Sequence, residues 1–191
     1  RLANIRPIYP RRHLTKWKNN EYVYSYLLRE MKIERCNQVW EIDITYVPMA
    51  RGFMYLTAII DVYSRYIVGW GLSNTLDAAS CLEVLRNAIN QHGKPEIINS
   101  DQGSQFTCRQ YVEYLKTKGI KISMDGKGRA LDNIYIERFW RTIKYQHIHL
   151  FPAVDGLSLY MGIKKWLERY HYRSHQGIDR NKPSTLYLNA A

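Results

Sequence analysis

Cysteine is scarce in this sequence, and its pattern excludes two classes of fold. The three residues, Cys36, Cys81 and Cys108, are odd in number and far apart. No C-x-x-C pair or zinc-like Cys/His spacing occurs, so neither a disulfide framework nor a structural zinc site is expected. Such usage suits a reducing cytoplasm. Long apolar runs are also missing. Stretches such as "LTAII" (56–60) are far too short to span a bilayer. No secretory signal is visible, and because the chain opens on Arg1 rather than Met, the native N-terminus is expected to lie upstream. There is no internal repeat and no low-complexity tract. Acidic residues are outnumbered: 17 Asp and Glu stand against 28 Lys and Arg, a net charge of +11. That excess points to a polyanionic partner, nucleic acid before a membrane surface.

What is present fits one core domain with short appendages: 191 residues, 46% of them hydrophobic. Residues 1–35 are basic and tyrosine-rich with weak periodicity, and read as an arm leading into the core. Three strand-like segments follow at 38–47, 53–61 and 66–72, with short connections that predict an antiparallel meander. "DAASCLEVLRNAINQHG" spaces Ala78, Leu82, Leu85 and Ile89 as an amphipathic helix, with Asp77 as N-cap and Gly93 at its stop. A strand at 96–100, a helix near 107–118 ended by Gly119, and a fifth strand at 120–124 come next. A basic glycine-containing loop, "DGKGRALDN" (125–133), then leads to helical periodicity at about 131–147 and 156–172. A meander followed by alternating elements predicts an α/β fold, a mixed five-stranded sheet flanked by helices. The expected organisation is an arm (1–35), a core (36–150) and a C-terminal helix and tail completing it (151–191).

Within "WEIDITYVP" (40–48), Asp43 stands in the middle of a strand of β-branched and aromatic residues. A carboxylate half-sunk in a sheet is costly unless something pairs with it, neutralises it or binds it. Asp101 directly follows the fourth strand in "NSDQGSQFT", where Gly103 lets the backbone turn, and Glu137 lies on the helix after the glycine loop. If the fourth strand lies beside the first, the two aspartates approach each other and Glu137 reaches them from a helix packed over that edge. Three such carboxylates repel, and magnesium removes the conflict, because hard divalent cations take carboxylate oxygens and keep waters for phosphates. Two ions can clamp a phosphodiester for in-line displacement. The alternative is that each carboxylate is salt-bridged or hydrogen-bonded for structural reasons. Asp61, with Arg65 four residues on, reads as that structural case, an ion pair or turn cap. Asp132 and Asn133 open the Glu137 helix as caps, and Asn133, one turn before Glu137, is placed to orient it. Lys127 and Arg129 suit phosphate contact or are solvated loop charges. His171 and His175 share an i, i+4 spacing but lack a third ligand, and the aromatics at 160, 166, 170 and 172 read as packing surface.

The stretches "WEIDITYVP", "LTAIIDVYSRYIVGW", "SDQGSQFT" and "SMDGKGRALDNIYIERFWRTIK" together resemble the integrase core of bacterial insertion-sequence transposases, nearest to insertion-sequence family three. In that family the transposase is encoded by two overlapping frames, and the second-frame product carries a retroviral-integrase-like domain of ribonuclease-H-like fold. The family pattern is an Asp, a second Asp, then 35 residues and a Glu; here the 35 residues 102–136 separate Asp101 from Glu137. The resemblance runs from about Tyr9 to Tyr187. It implies Asp43, Asp101 and Glu137 as catalytic ligands of two Mg²⁺ (Mn²⁺ substituting), and a basic residue seven positions after the Glu, here Lys144. Lys144, Lys127, Arg129 and Asn133 are the expected DNA-contacting residues, and the resemblance implies the element's DNA as substrate. Homo-oligomers on paired DNA ends and a DNA-recognition module from upstream complete the expected partners, with no membrane. Relatives commonly have His where this chain has Asn99, just before "SDQG". The expected activity is metal-dependent DNA cleavage and strand transfer. The alternatives are a DNA-binding remnant without activity and a ribonuclease sharing the same site. No recognition helix is free to read bases, so DNA binding with little regard to sequence is expected.

Overall fold

The computed structural model describes residues 22–126 and 130–189. Five strands form one sheet in the order β3-β2-β1-β4-β5. Strands β1 (Val39–Pro48), β2 (Phe53–Asp61) and β3 (Ile67–Ser73) are the antiparallel meander, while β4 (Ile97–Ser100) and β5 (Lys121–Met124) run parallel to β1 on its other side. The change of direction at β1 follows from the connections. Short turns such as Arg51-Gly52, with Gly52 at φ 75°, reverse the chain. The links into β4 and β5 instead pass through helices, which return the chain to the same end of the sheet. These helices are α1 (Ala78–His92) and α2 (Arg109–Thr117). Asp77 caps α1 by accepting from the Ser80 amide at 2.7 Å. Gly93 ends it at φ 77°.

Period-two alternation along β1 divides the core into two layers. Trp40 and Ile42 pack with Leu82, Leu85 and Ile89 of α1 and Tyr111, Val112 and Leu115 of α2. Val47, with Leu56, Ala58 and Ile60 of β2, packs on the opposite face against α3 (Ile134–Ile143) and α4 (Gly156–His171). Ile136, Phe139, Trp140 and Ile143 supply the buried stripe of α3, and Leu159, Ile163, Trp166, Leu167 and Tyr170 that of α4. Asp43 belongs to this second face. It therefore lies under α3, which carries Glu137.

Beyond Ile143 the helix widens into a π-helical turn at Lys144–Ile148, and a 3-10 turn at Ala130–Asn133 precedes it. The tail holds a short helix that the periodicity does not predict, α5 (Pro183–Leu188), with Pro183 in its first turn. Its Tyr187 is buried, stacks on Tyr66 and donates to Asn37 Oδ1 at 2.7 Å. The first part of the expected arm, 1–21, lies outside the described residues. Its second part packs: Leu28, Met31 and Ile33 close over Val39, Val62 and Ile97. No helix among the described residues is long and apolar enough to cross a membrane.

Candidate active site

Asp43 is half-buried on β1, and its Oδ2 accepts a hydrogen bond from Trp140 Nε1 of α3 at 2.8 Å. Burial pushes its carboxyl up from 3.8 to about 6; the Trp140 bond opposes this, while the charges of Asp101 and Glu137 add to it. The three acidic side chains singled out in the sequence thus share one electrostatic neighbourhood, on three different elements. Their approach depends on β4 lying beside β1. Val39 pairs with Ile97 and Glu41 with Asn99, so the chain leaves β4 at Asp101 close to Asp43.

Asp101 is exposed just beyond β4, and its Oδ1 accepts from the Gly103 amide at 2.9 Å. A Cβ on Gly103 would stand 2.9 Å from both Asp101 Oδ1 and Gln105 Oε1, so both side-chain ends would have to shift to admit one. Glu137 is exposed on the first turn of α3. Lys144, at the C-terminal end of α3, is half-buried rather than freely solvated. Its Nζ donates to Thr45 Oγ1 at 2.6 Å. Burial lowers its pKa and the Asp43 charge opposes that shift, which puts the ammonium on the Asp43 side of β1.

A fourth carboxylate stands at this edge that the motif reading missed. Asp125 leaves β5 as Asp101 leaves β4, and its carboxyl is pushed up to about 7 by burial and by the charges of Asp132, Asp101 and Asp43. The two strand-end loops are tied together: the Asp125 amide donates to Ser100 O at 3.0 Å, and Gln102 Nε2 to Asp125 O at 2.8 Å. Its position immediately after a strand was the available signal. Glu41 was missed too. Only 1% exposed, it is pushed up to about 8 chiefly by burial, and its Oε2 accepts from the Ile136 amide of α3 at 2.9 Å.

Asn133 departs from expectation. It is 4% exposed, makes no side-chain cap bond to α3, and its Oδ1 has no partner. A side chain so covered neither caps α3 nor offers a surface to DNA in this conformation. Glu41 serves the N-terminus of the helix instead. Asp132 accepts from the Gly126 amide at 3.0 Å. Lys127 and Arg129 lie outside the described residues. Asp61 has the structural role expected of it. Fully buried, it accepts from the Ser64 amide (2.8 Å), Ser64 Oγ (2.6 Å) and the Asn37 amide (2.8 Å), a turn cap rather than an ion pair. His171 accepts from the Ile67 amide at 3.2 Å and stacks on Tyr66, while His175 accepts from the Gly177 amide, so both histidines are used in packing and caps.

Asp43, Asp101, Asp125 and Glu137 offer carboxylate oxygens at this edge, the chemistry that hard divalent cations prefer. The half-buried Asp43, raised chiefly by burial and further by its acidic neighbours, has the electrostatic signature that a cation relieves. The side chains are not drawn in around a common point, however. Among the described residues no group of three or more His, Cys, Asp or Glu stands close enough to hold an ion.

The integrase core domain model matches residues 34–130, just over half of the 191, and a second integrase core model matches 118–183. The chain belongs to the integrase core family. Its integrase core is 35% identical over 151 residues to the transposase for insertion sequence element IS904 of Lactococcus lactis, covering 77% of this chain and 60% of that protein. It is 34% identical over 115 residues to transposase InsF for insertion sequence IS3A of Escherichia coli K12, covering 59% of this chain and 40% of that one. The chain therefore spans 60% or less of the length of these two relatives. Among solved structures it resembles the catalytic core domain of HTLV-2 integrase in complex with magnesium, with a TM-score of 0.65 and 20% identity over 80% of this chain and 97% of that one. The simian T-cell lymphotropic virus intasome in complex with a PP2A regulatory subunit gives 0.70 and 16% identity, over 88% and 61%. The integrase core here accordingly has the ribonuclease-H-like fold expected from the sequence.

Proposed function

We propose that this chain is the catalytic domain of an insertion-sequence transposase, cutting phosphodiesters at the element's DNA ends and joining them to target DNA. Asp43, Asp101 and Glu137 are assigned as ligands of two divalent cations, magnesium by preference and manganese as a substitute. One observation supports the reading: Asp43, on the strand that β4 pairs with, is raised by burial and, to a smaller extent, by the charges of Asp101 and Glu137. In open α/β sheets, functional groups gather at such strand ends. Family membership and the transposase relatives turn that acidic cluster towards DNA chemistry.

When bound, the cations would stabilise the attacking and leaving oxygens of an in-line displacement. The chain's own residues prepare the place. Trp140 fixes the Asp43 carboxylate through Oδ2, Gly103 lets Asp101 fold back on its own loop, and α3 sets Glu137 over the sheet. Lys144, which donates to Thr45, would meet a phosphate of the DNA approaching Asp43. The attacking group is water in cleavage and a DNA 3′-hydroxyl in joining. The net charge of +11 favours binding to the DNA backbone. Sequence-specific recognition of the ends is assigned to a further module, and pairing of the ends to homo-oligomers of the transposase.

The test uses labelled duplex DNA and an RNA–DNA hybrid of the same sequence, each with Mg²⁺, Mn²⁺ or chelator. The proposal expects metal-dependent nicking of the duplex and little cleavage of the hybrid. Preference for the hybrid would make the protein a ribonuclease. Tight duplex binding without nicking in either metal would make it a DNA-binding remnant.

A further inference from the structure

The helix that carries Glu137 is held to the sheet by two buried polar residues that no metal or DNA contact explains. A helix N-terminus has four backbone N–H groups without intrahelical partners, usually met by a side chain just upstream. In α3 the upstream residue, Asn133, provides no such bond. The partner comes from β1: Glu41 Oε2 accepts from the Ile136 amide at 2.9 Å. Directly beside Glu41 in the parallel register stands Asn99 of β4, fully buried. Asn99 Nδ2 donates to the Asp132 carbonyl at 3.0 Å, in the turn that opens α3, and to Asp125 Oδ1 at 2.8 Å.

We infer that Glu41 and Asn99 are positioning residues that set the distance between Glu137 and Asp43. The spacing carries the argument. Ile136, which Glu41 holds, immediately precedes Glu137, and Glu41 lies two residues from Asp43 on the same face of the same strand. One backbone thus bears both the Asp43 carboxylate and the anchor of the helix opposite it. Asn99 fixes the turn before α3 from β4, two residues ahead of Asp101. An apolar side chain would fill the Glu41 position at less cost, because a carboxyl group buried this deeply must be hydrogen-bonded to be tolerated. An apolar residue would hold α3 by area alone, which tolerates sliding; a hydrogen bond to one amide does not. The same clamp gives Asn99 a role that does not require proton transfer.

This inference rests on the proposed assignment of the three carboxylates, and its test separates the two. Glu41→Ala removes the acceptor, whereas Glu41→Gln keeps an oxygen of similar reach. Three readouts are compared with the wild type: Mn²⁺ binding by electron paramagnetic resonance, hydrogen exchange of the peptide covering 134–140, and strand joining with kcat separated from the KM for DNA. Glu41→Ala is expected to weaken Mn²⁺ binding by about tenfold or more and to speed exchange at the start of α3 by a similar factor, in line with a bond worth a decade or more. It should lower kcat with the KM for DNA within about twofold, and Glu41→Gln should recover most of each loss. A merely structural Glu41 would shift the melting temperature and leave Mn²⁺ affinity per folded molecule unchanged; that result overturns the inference. Should Glu41→Ala fail to fold, Asn99→Ala decides by the same three readouts. A wild type that binds Mn²⁺ but joins no DNA would refute the transposase reading while the metal and exchange arms still judge the clamp. If the wild type binds no Mn²⁺, unchanged exchange in the variant refutes the clamp by itself.

Discussion

Replacing Asp43 with asparagine should stabilise the metal-free protein at alkaline pH and do little in acid. The side chain ionises at 3.8 in the unfolded chain but at about 6 when folded, chiefly because burial disfavours the carboxylate. A carboxyl raised in this way contributes stability that is fully present below about pH 4 and is lost as pH rises through 6. The difference of about 2 units corresponds to roughly 3 kcal/mol, of which about half is lost between pH 5 and 7. Asparagine keeps an oxygen for Trp140 Nε1 and never ionises, so this loss should be absent from the variant. Urea unfolding of both proteins in chelator, at about pH 5 and 8, measures the effect. The variant's advantage should grow by about 1–2 kcal/mol across that interval, or about 2–8 °C in melting temperature for a chain of this size. Glu41 and Asp125, also raised, tilt both proteins in the same direction, so the difference between variant and wild type isolates Asp43 and its couplings. A difference that does not change with pH, or a variant that loses stability in alkali, would refute this electrostatic account.

Magnesium should raise the melting temperature of the wild type near neutral pH, by about 2.7 kcal/mol of added stability at a hundredfold excess over its dissociation constant. An equal shift in the triple variant Asp43→Asn, Asp101→Asn, Glu137→Gln would place the cation elsewhere. Asp61→Asn should cost about 1–3 kcal/mol, because one of three donors then faces an amide in place of an oxygen. Its activity per folded molecule should stay near wild type, and a selective loss of activity would return Asp61 to the catalytic group. Lys144→Ala should weaken DNA binding and reduce the log–log salt slope by roughly one unit. An unchanged slope would leave Lys144 as the partner of Thr45 alone.

Most of the fold was legible because its signals are local. The apolar spacing of Ala78, Leu82, Leu85 and Ile89, with Asp77 and Gly93 at its ends, specifies α1 without help from the rest of the chain. The alternation in β1 likewise places Trp40 and Ile42 opposite Asp43. The three carboxylates proposed as ligands stand out in the sequence as a motif, and the parallel pairing of β4 with β1 brings the strand carrying Asp43 beside the strand that ends at Asp101. Other features depend on tertiary context. Helix α5 is six residues long, too short for periodicity to register, and is held by Tyr187 against Tyr66. Glu41 reads in sequence as an outward polar residue of a strand, and only α3 lying across β1 turns it into a buried cap. Asn133 occupies an ordinary capping position and is displaced from that role by Glu41. Asp125 gains meaning only once β5 ends beside β4.

Strand joining tests the central claim most directly. Labelled transposon-end DNA is incubated with Mg²⁺ or Mn²⁺ and wild type, Asp43→Asn, Asp101→Asn or Glu137→Gln, each shown to be folded and to bind DNA. Nicked and joined products should form with the wild type and fall to background in all three variants, since each removes a ligand charge while preserving volume. Joining near the wild-type rate in any one of the variants would contradict the assignment of that carboxylate and with it the three-ligand site.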